Sequence, residues 1–180
     1  MIRILVADDH TVVREGVKQI LAGQSDMVVV GEAADGKETL EKALSGRFDL
    51  VLLDISMPGR GGLEVLEDIL KARPRLPVLI LSMHPEEQYA VRALRAGASG
   101  YLTKASAAHE LIGAIRKVSR GGKYVTTSLA EKLAVALDSK AEKKVHEKLS
   151  TREYQVMLML ASGKSVGEIA SELCLSVKTV

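Results

Sequence analysis

Leu50-Val51-Leu52-Leu53-Asp54 is an unbroken aliphatic run closed by an acid. A strand with one wet face alternates apolar and polar residues. A strand without alternation is buried on both faces, as in a parallel sheet covered by helices. Working outward from this run, four more segments fit the same reading: Ile2 to Ala7, Met27 to Ala33, Val78 to Leu81 and a weaker one, Gly100 to Leu102. Helix-period segments separate them. Val13, Val17, Ile20 and Leu21 fall at helical spacing, as do Leu63, Leu66, Ile69 and Leu70, and Leu111, Ala114, Ile115 and Val118. Fainter helical marks lie around Leu40 to Leu44 and Ala90 to Leu94. Strands alternating with helices over residues 1–121 predict an α/β domain, a doubly wound five-stranded parallel sheet.

Gly121-Gly122 ends that pattern. Ser128 to Leu137 reads as a further helix, and Asp138 to Lys148 is rich in charge and Ala, so residues 122–148 are expected to be a helix and linker. From Leu149 a second pattern starts, giving residues 149–180 as a small all-α domain. Ser150 with Glu153 three residues on is a capping box, and Val156, Leu158, Met159, Leu160 and Ala161 continue an apolar helix that Gly163 ends. Ser165 to Leu173 is a second helix, and Leu175 to Val180 begins a third.

Composition narrows the function classes. At 47% hydrophobic and 27% charged residues, the chain is neither a disordered polar tract nor a repeat fibre. The longest apolar runs fall well short of the roughly 20 residues a membrane span needs, and no secretory signal is visible. The one cysteine, Cys174, excludes an internal disulfide and a cysteine-based metal cluster, and its setting between Leu173 and Leu175 reads as a small apolar residue. Residues 1–121 carry 16 Lys/Arg against 16 Asp/Glu, and residues 122–180 carry 9 against 7. Bulk charge therefore gives no basis for nucleic-acid binding, and 3% aromatics without Trp give none for stacking on single strands.

The polar residues that follow the strands are more informative. Asp8 and Asp9 follow the first run, Asp54 the third, Ser82 the fourth and Lys104 the fifth. In an open parallel sheet, ligands sit beyond the carboxyl ends of the strands, so all five belong to one edge. Carboxylates crowded into one crevice repel unless a cation joins them, and Mg²⁺ suits a site with a few carboxylates and several waters. A lysine across the crevice can neutralise further charge, which suits phosphoryl transfer, and a carboxylate such as Asp54 can be the nucleophile. His10 reads as an exposed residue at a helix start rather than a ligand. Gly59-Arg60-Gly61-Gly62 lacks the spacing of a dinucleotide fingerprint and reads as a turn after Pro58.

Asp8-Asp9, Asp54 followed by Met57-Pro58-Gly59-x-x-Gly62, Ser82, Tyr101 and Lys104 resemble the receiver domain of bacterial two-component response regulators, which is flavodoxin-like. Leu149-Ser150-Thr151-Arg152-Glu153 and Ser165-Val166-Gly167-Glu168-Ile169-Ala170 resemble the helix-turn-helix output domain of the NarL/FixJ, LuxR-type subfamily. The resemblance implies that Asp54 takes a phosphoryl group from a sensor histidine kinase. It implies that Asp8, Asp9, Asp54 and the backbone carbonyl of Ser56 hold Mg²⁺. Ser82 and Lys104 would meet the phosphoryl oxygens, and Tyr101 would be an aromatic switch that turns inward when Ser82 moves. The protein would be cytoplasmic and would dimerise when phosphorylated. It would catalyse nothing beyond its own phosphorylation and dephosphorylation, and would control transcription by binding promoter DNA.

In a helix-turn-helix the second helix enters the major groove, which makes Val177, Lys178 and Thr179 the expected DNA-facing residues. Family members continue through that helix into a dimer-forming one, whereas this sequence stops at Val180, so the expectation is of an incomplete output domain whose own DNA binding is weak. Two other readings compete. A regulator acting through protein contacts alone keeps the receiver and drops the DNA. A haloacid-dehalogenase-type phosphatase also uses an aspartyl nucleophile with Mg²⁺, but places it on the first strand with a second Asp two residues on, where this chain has Ser56 after Asp54.

Overall fold

A computed structural model describes residues 1–58, 61–138, 149–173 and 175–180. Gly59-Arg60, the charged stretch 139–148, Cys174 and the Leu137 side chain lie outside the described residues, and so do the readings made of them.

Contacts divide the chain into two compact units, Met1–Ala134 and Val135–Val180. The first is the expected α/β domain. Its strands are β1 (Ile2–Ala7), β2 (Met27–Ala33), β3 (Leu50–Leu53), β4 (Val78–Ser82) and β5 (Gly100–Thr103). They form one sheet in the order β2-β1-β3-β4-β5, with every neighbouring pair parallel. All four residues of β3 and all five of β4 are buried, so their continuous apolar character follows from helices on both faces. The edge strand β2 is less covered, buried at its ends, Met27 and Ala33, and exposed at Val30 in its middle.

The crossover helices are α1 (Thr11–Ala22), α2 (Gly36–Ser45), α3 (Gly62–Ala72), α4 (Glu86–Arg95) and α5 (Ala107–Ser119). Each turns an apolar stripe to the sheet: α3 buries Leu63, Val65, Leu66 and Ile69, and α5 buries Leu111, Ala114, Ile115 and Val118. Burying a Leu or Ile side chain is worth about 1.5–3 kcal/mol, so these stripes, more than helix propensity, hold the crossovers in place. The helix α2 starts where the Asp35 side chain accepts a hydrogen bond from Glu38 N–H.

The chain past Gly121 keeps packing on this unit. Tyr124 N–H donates to Ser99 O at 2.8 Å, and Tyr124 makes an isolated parallel bridge with Gly100. Leu129, in α6 (Thr127–Asp138), is buried.

The second unit holds α7 (Thr151–Ala161) and α8 (Val166–Glu172). Both begin with a complete capping box, Ser150 with Glu153 and Ser165 with Glu168. Gly163 follows α7 with φ of 88°, the left-handed conformation glycine adopts freely, while its N–H donates to Leu160 O and Lys164 N–H reaches Met159 O. Met159, Ile169 and Leu173 form the small core between the two helices. Arg152 ties their far ends, its guanidinium donating to Leu173 O at 2.7 Å. The helix expected from Leu175 is not helical: Val177 to Thr179 form a turn closed by Thr179 N–H to Ser176 O at 2.9 Å. One such bond closes a single turn and does not start an i to i−4 ladder.

Candidate functional site

The strand order reverses between β1 and β3, which opens a crevice past their carboxyl ends. Backbone bonds beyond the strands fix what faces it. Asp8 N–H donates to Ala33 O, Asp54 N–H to Ala7 O and Lys104 N–H to Ser82 O, at 3.0, 2.9 and 2.7 Å. The ladder thus runs one residue past β1, β3 and β5, so Asp8, Asp54 and Lys104 are held by the sheet itself.

Asp8 and Asp54 are each 1% exposed. Lys104 Nζ stands 2.7 Å from Asp8 Oδ2 and 2.8 Å from Asp54 Oδ2. The other Asp54 oxygen, Oδ1, accepts the Ser56 N–H at 3.0 Å. Burial pushes the Asp54 carboxyl above its ordinary pKa, against the pull of the Lys104 hydrogen bond and charge. Burial alone would lower the Lys104 ammonium, but its hydrogen bonds and charge pairing with Asp54 and Asp8 hold it above its ordinary value.

Asp9 lies at the mouth, and donor atoms of Asp8, Asp9, His10 and Asp54 all fall within 4.8 Å of one another. The His10 ring is largely exposed, with Nδ1 2.9 Å from Asp9 Oδ1 and 3.3 Å from Asp8 Oδ1. Apart from Lys104 beside Asp8 Oδ2 and His10 beside Asp9 Oδ1, no group among the described residues satisfies these two buried oxygens, and the Ser56 hydroxyl is a buried atom with no hydrogen bond among them. A mostly carboxylate donor set with such oxygens fits a hard divalent cation.

The β3–α3 loop folds back beneath Asp54. A Cβ built on Gly62 would lie 2.2 Å from Asp54 O and 2.5 Å from Ile55 Cα. The Gly62 of the motif is therefore required by close backbone approach, a constraint that its reading as part of a turn did not reveal.

Ser82 and Tyr101 sit on β4 and β5, both 0% exposed. Ser82 Oγ accepts the His84 N–H at 3.0 Å, and Tyr101 OH donates to the His84 carbonyl at 2.9 Å. The Tyr101 ring is thus already turned inward, and burial pushes its hydroxyl pKa well up. The backbone of His84, which no sequence pattern marked, receives one link and supplies the other.

The structure thus brings Asp8, Asp9, Asp54 and Lys104 together, with Ser56 in the loop after β3, Ser82 at the end of β4 and Tyr101 within β5. Val177, Lys178 and Thr179 lie in the second unit, exposed and in a turn. Among the described residues no helix is long and apolar enough to cross a membrane.

Residues 4–116 match the family described as response regulator receiver domain, and residues 147–180 match bacterial regulatory proteins of the luxR family. The chain is 40% identical over its whole length to 85% of the response regulator GacA of Pseudomonas viridiflava. It is 38% identical, again over its whole length, to 83% of the response regulator UvrY of Escherichia coli K12. Among solved structures, a two-component response regulator of the LuxR family from Aurantimonas is similar at TM-score 0.71 and 34% identity, over 77% of this chain and 99% of that one. RcsB of Salmonella typhimurium, a response regulator, is similar at TM-score 0.68 and 26% identity, over 99% of this chain and 85% of that one.

Proposed function

The chain belongs to the response regulators that join a receiver domain to a LuxR-type helix-turn-helix domain, and from that premise we propose that Asp54 is its phosphoacceptor. The observation that carries this reading is the placement of Asp54: buried at the end of a central strand, beside Asp8, and paired with Lys104. The donor is the phosphohistidine of a sensor histidine kinase. An Asp54 carboxylate oxygen attacks phosphorus as the phosphorus–nitrogen bond breaks, and the electron pair of that bond stays on the imidazole.

Asp8, Asp9, Asp54 and the Ser56 carbonyl hold Mg²⁺. When bound, it neutralises charge on the carboxylates and the incoming phosphoryl oxygens. Lys104 pairs with the phosphoryl oxygens, and the Ser82 hydroxyl, which accepts the His84 N–H, donates to one of them. Tyr101 follows Ser82 through their shared tie to His84.

In this reading residues 1–121 receive the signal, 122–148 connect, and 149–180 meet promoter DNA through Val177, Lys178 and Thr179. The phosphorylated protein pairs with a second copy in the cytoplasm and acts as a switch rather than as an enzyme on outside substrates. The deciding experiment is labelling by a small phosphodonor with Mg²⁺. Asp54→Asn keeps its fold and loses label, and full labelling of that variant would overturn the assignment.

A further inference from the structure

The end of the sheet opposite the crevice, where helices lead into strands, holds a cavity of about 630 Å³. It opens between the α2–β3 loop at Phe48, the α3–β4 loop at Arg73 to Pro77, and the end of α5 at Ser119 and Gly121. Its volume lies within the roughly 300–1,000 Å³ of small-molecule sites.

Part of the lining is apolar. Phe48 is the chain's one phenylalanine, and two glycines make room for its ring. A Cβ built on Gly31 or Gly46 would lie 2.8 or 2.2 Å from a ring carbon. Pro74, Leu76 and Pro77 supply the rest of the apolar lining.

The remainder is cationic. Arg73 is fixed, because its Nη1 donates to Ala43 O at 2.7 Å and to Gly46 O at 2.9 Å. Its other guanidinium N–H groups bond to nothing among the described residues. Arg75 is exposed and forms neither a hydrogen bond nor an ion pair among them. Arg47 and Arg120, next in sequence to the lining residues Phe48 and Gly121, are exposed and unpaired in the same way. Asp49, the acid of the lining, is already matched by two side-chain hydrogen bonds from Arg3. Basic residues gather at helix C-termini, and Arg73 serves one by bonding the last carbonyls of α2. Arg47, Arg75 and Arg120 bond no carbonyl. Three unpaired guanidinium groups around one cavity repel one another, and an anion among them relieves that repulsion.

We propose that this cavity is a second ligand site of the receiver and that its ligand is a nucleoside phosphate. Guanidinium groups meet phosphate oxygens in a planar two-bond fork, and Arg73 is already held in place to offer one. The base lies against Phe48 and the prolines, where an aromatic face gains from ring contact and from loss of water. Inorganic phosphate alone would leave most of the cavity empty. The site stands apart from the reading of Asp54, which lies at the other end of the sheet.

The test is calorimetric titration of the full chain with each of the four ribonucleoside triphosphates. Chelator is present, so that the acidic crevice repels them, and amide shifts are followed by NMR. At least one triphosphate binds saturably at a single site. The amides of Phe48, Arg75 and Leu76 shift, while those of Asp8 and Asp54 stay in place. The matching nucleoside and inorganic pyrophosphate each bind roughly tenfold or more weakly, since each forgoes one half of the contacts. Arg75→Gln changes an exposed residue that bonds nothing in the folded protein, so it folds as wild type. It loses affinity roughly tenfold or more, the effect of one hydrogen bond to a charged group. Adding Arg47→Gln lowers affinity further. Absence of saturable binding by all four triphosphates overturns the site, as does an Arg75→Gln protein of unchanged affinity. Shifts confined to the crevice amides overturn its location. Pyrophosphate or a DNA duplex binding as tightly as the triphosphate overturns the nucleotide, and makes the patch a general anion surface.

Discussion

Lys104 reaches Asp54 across 50 residues of sequence, with Nζ 2.8 Å from Oδ2, and both side chains are more than nine-tenths buried. The lysine stands between Asp54 and Asp8, where it does for two carboxylates what a divalent ion also does.

Removal of Lys104 therefore leaves two buried acids without their cation. Breaking a buried pair from one side costs about 3–5 kcal/mol. Lys104→Ala is expected to lose stability of that order in chelator and to recover much of it with Mg²⁺, whose stabilisation follows its affinity for the folded state. Denaturation curves with and without Mg²⁺ give the answer. An equal Mg²⁺ response in wild type and variant would remove the lysine from the cation's neighbourhood.

Asp9 lies at the rim, its side chain 28% exposed, so Asp9→Ala should fold normally. It should weaken Mg²⁺ by roughly tenfold or more, since loss of even an outer-shell partner of a metal ligand costs that much. Calorimetric titration measures it directly, and unchanged affinity would place the ion elsewhere.

Gly62→Ala forces a methyl group against backbone that cannot swing aside, with Asp54 O 2.2 Å from the new Cβ. Overpacking of this kind costs about 1–3 kcal/mol. The variant should unfold at lower urea and take label at Asp54 more slowly, because the loop that shifts leads directly from the proposed acceptor. A variant with wild-type urea midpoint and labelling rate would show that the loop accommodates the methyl.

Away from the site, Arg3 and Asp49 form a two-bond pair, and the Arg3 hydrogen bond holds the Asp49 carboxyl down to about 2 despite partial burial. A carboxyl depressed in the folded state stabilises fully above its unfolded pKa and loses that contribution as pH falls through the folded value. Asp49→Asn should be less stable than wild type near neutral pH, modestly because both side chains are about two-fifths exposed, and the gap should close between about pH 4 and 2. A gap unchanged at the acid end would mean that the pair contributes through shape rather than charge.

The sheet was legible because buried parallel strands write themselves as unbroken aliphatic runs, and the position of Asp54 after one such run placed the crevice. What was not legible depends on contacts distant in sequence. Nothing near Lys104 announces that it touches Asp8 as well as Asp54. Gly62 carries no sign that Ile55 passes beneath it. Lys123 to Thr126 is too short to show a period, so its docking on β5 and α5 left no trace. Capping boxes, by contrast, are local, and the one read at Ser150 is formed.

The pairing of β1 with β3 also sets a timetable. Ile4 meets Leu50 only after the chain between them has closed on itself, and such distant pairings form late and slowly compared with the neighbouring helices α7 and α8. Asp8 and Asp54 ride on those two strands. The acidic crevice therefore exists only once β1 and β3 have paired, so the proposed phosphoacceptor site is complete only in the folded sheet. With Asp54 as the proposed phosphoacceptor, the ability to take a phosphoryl group is a certificate of finished folding.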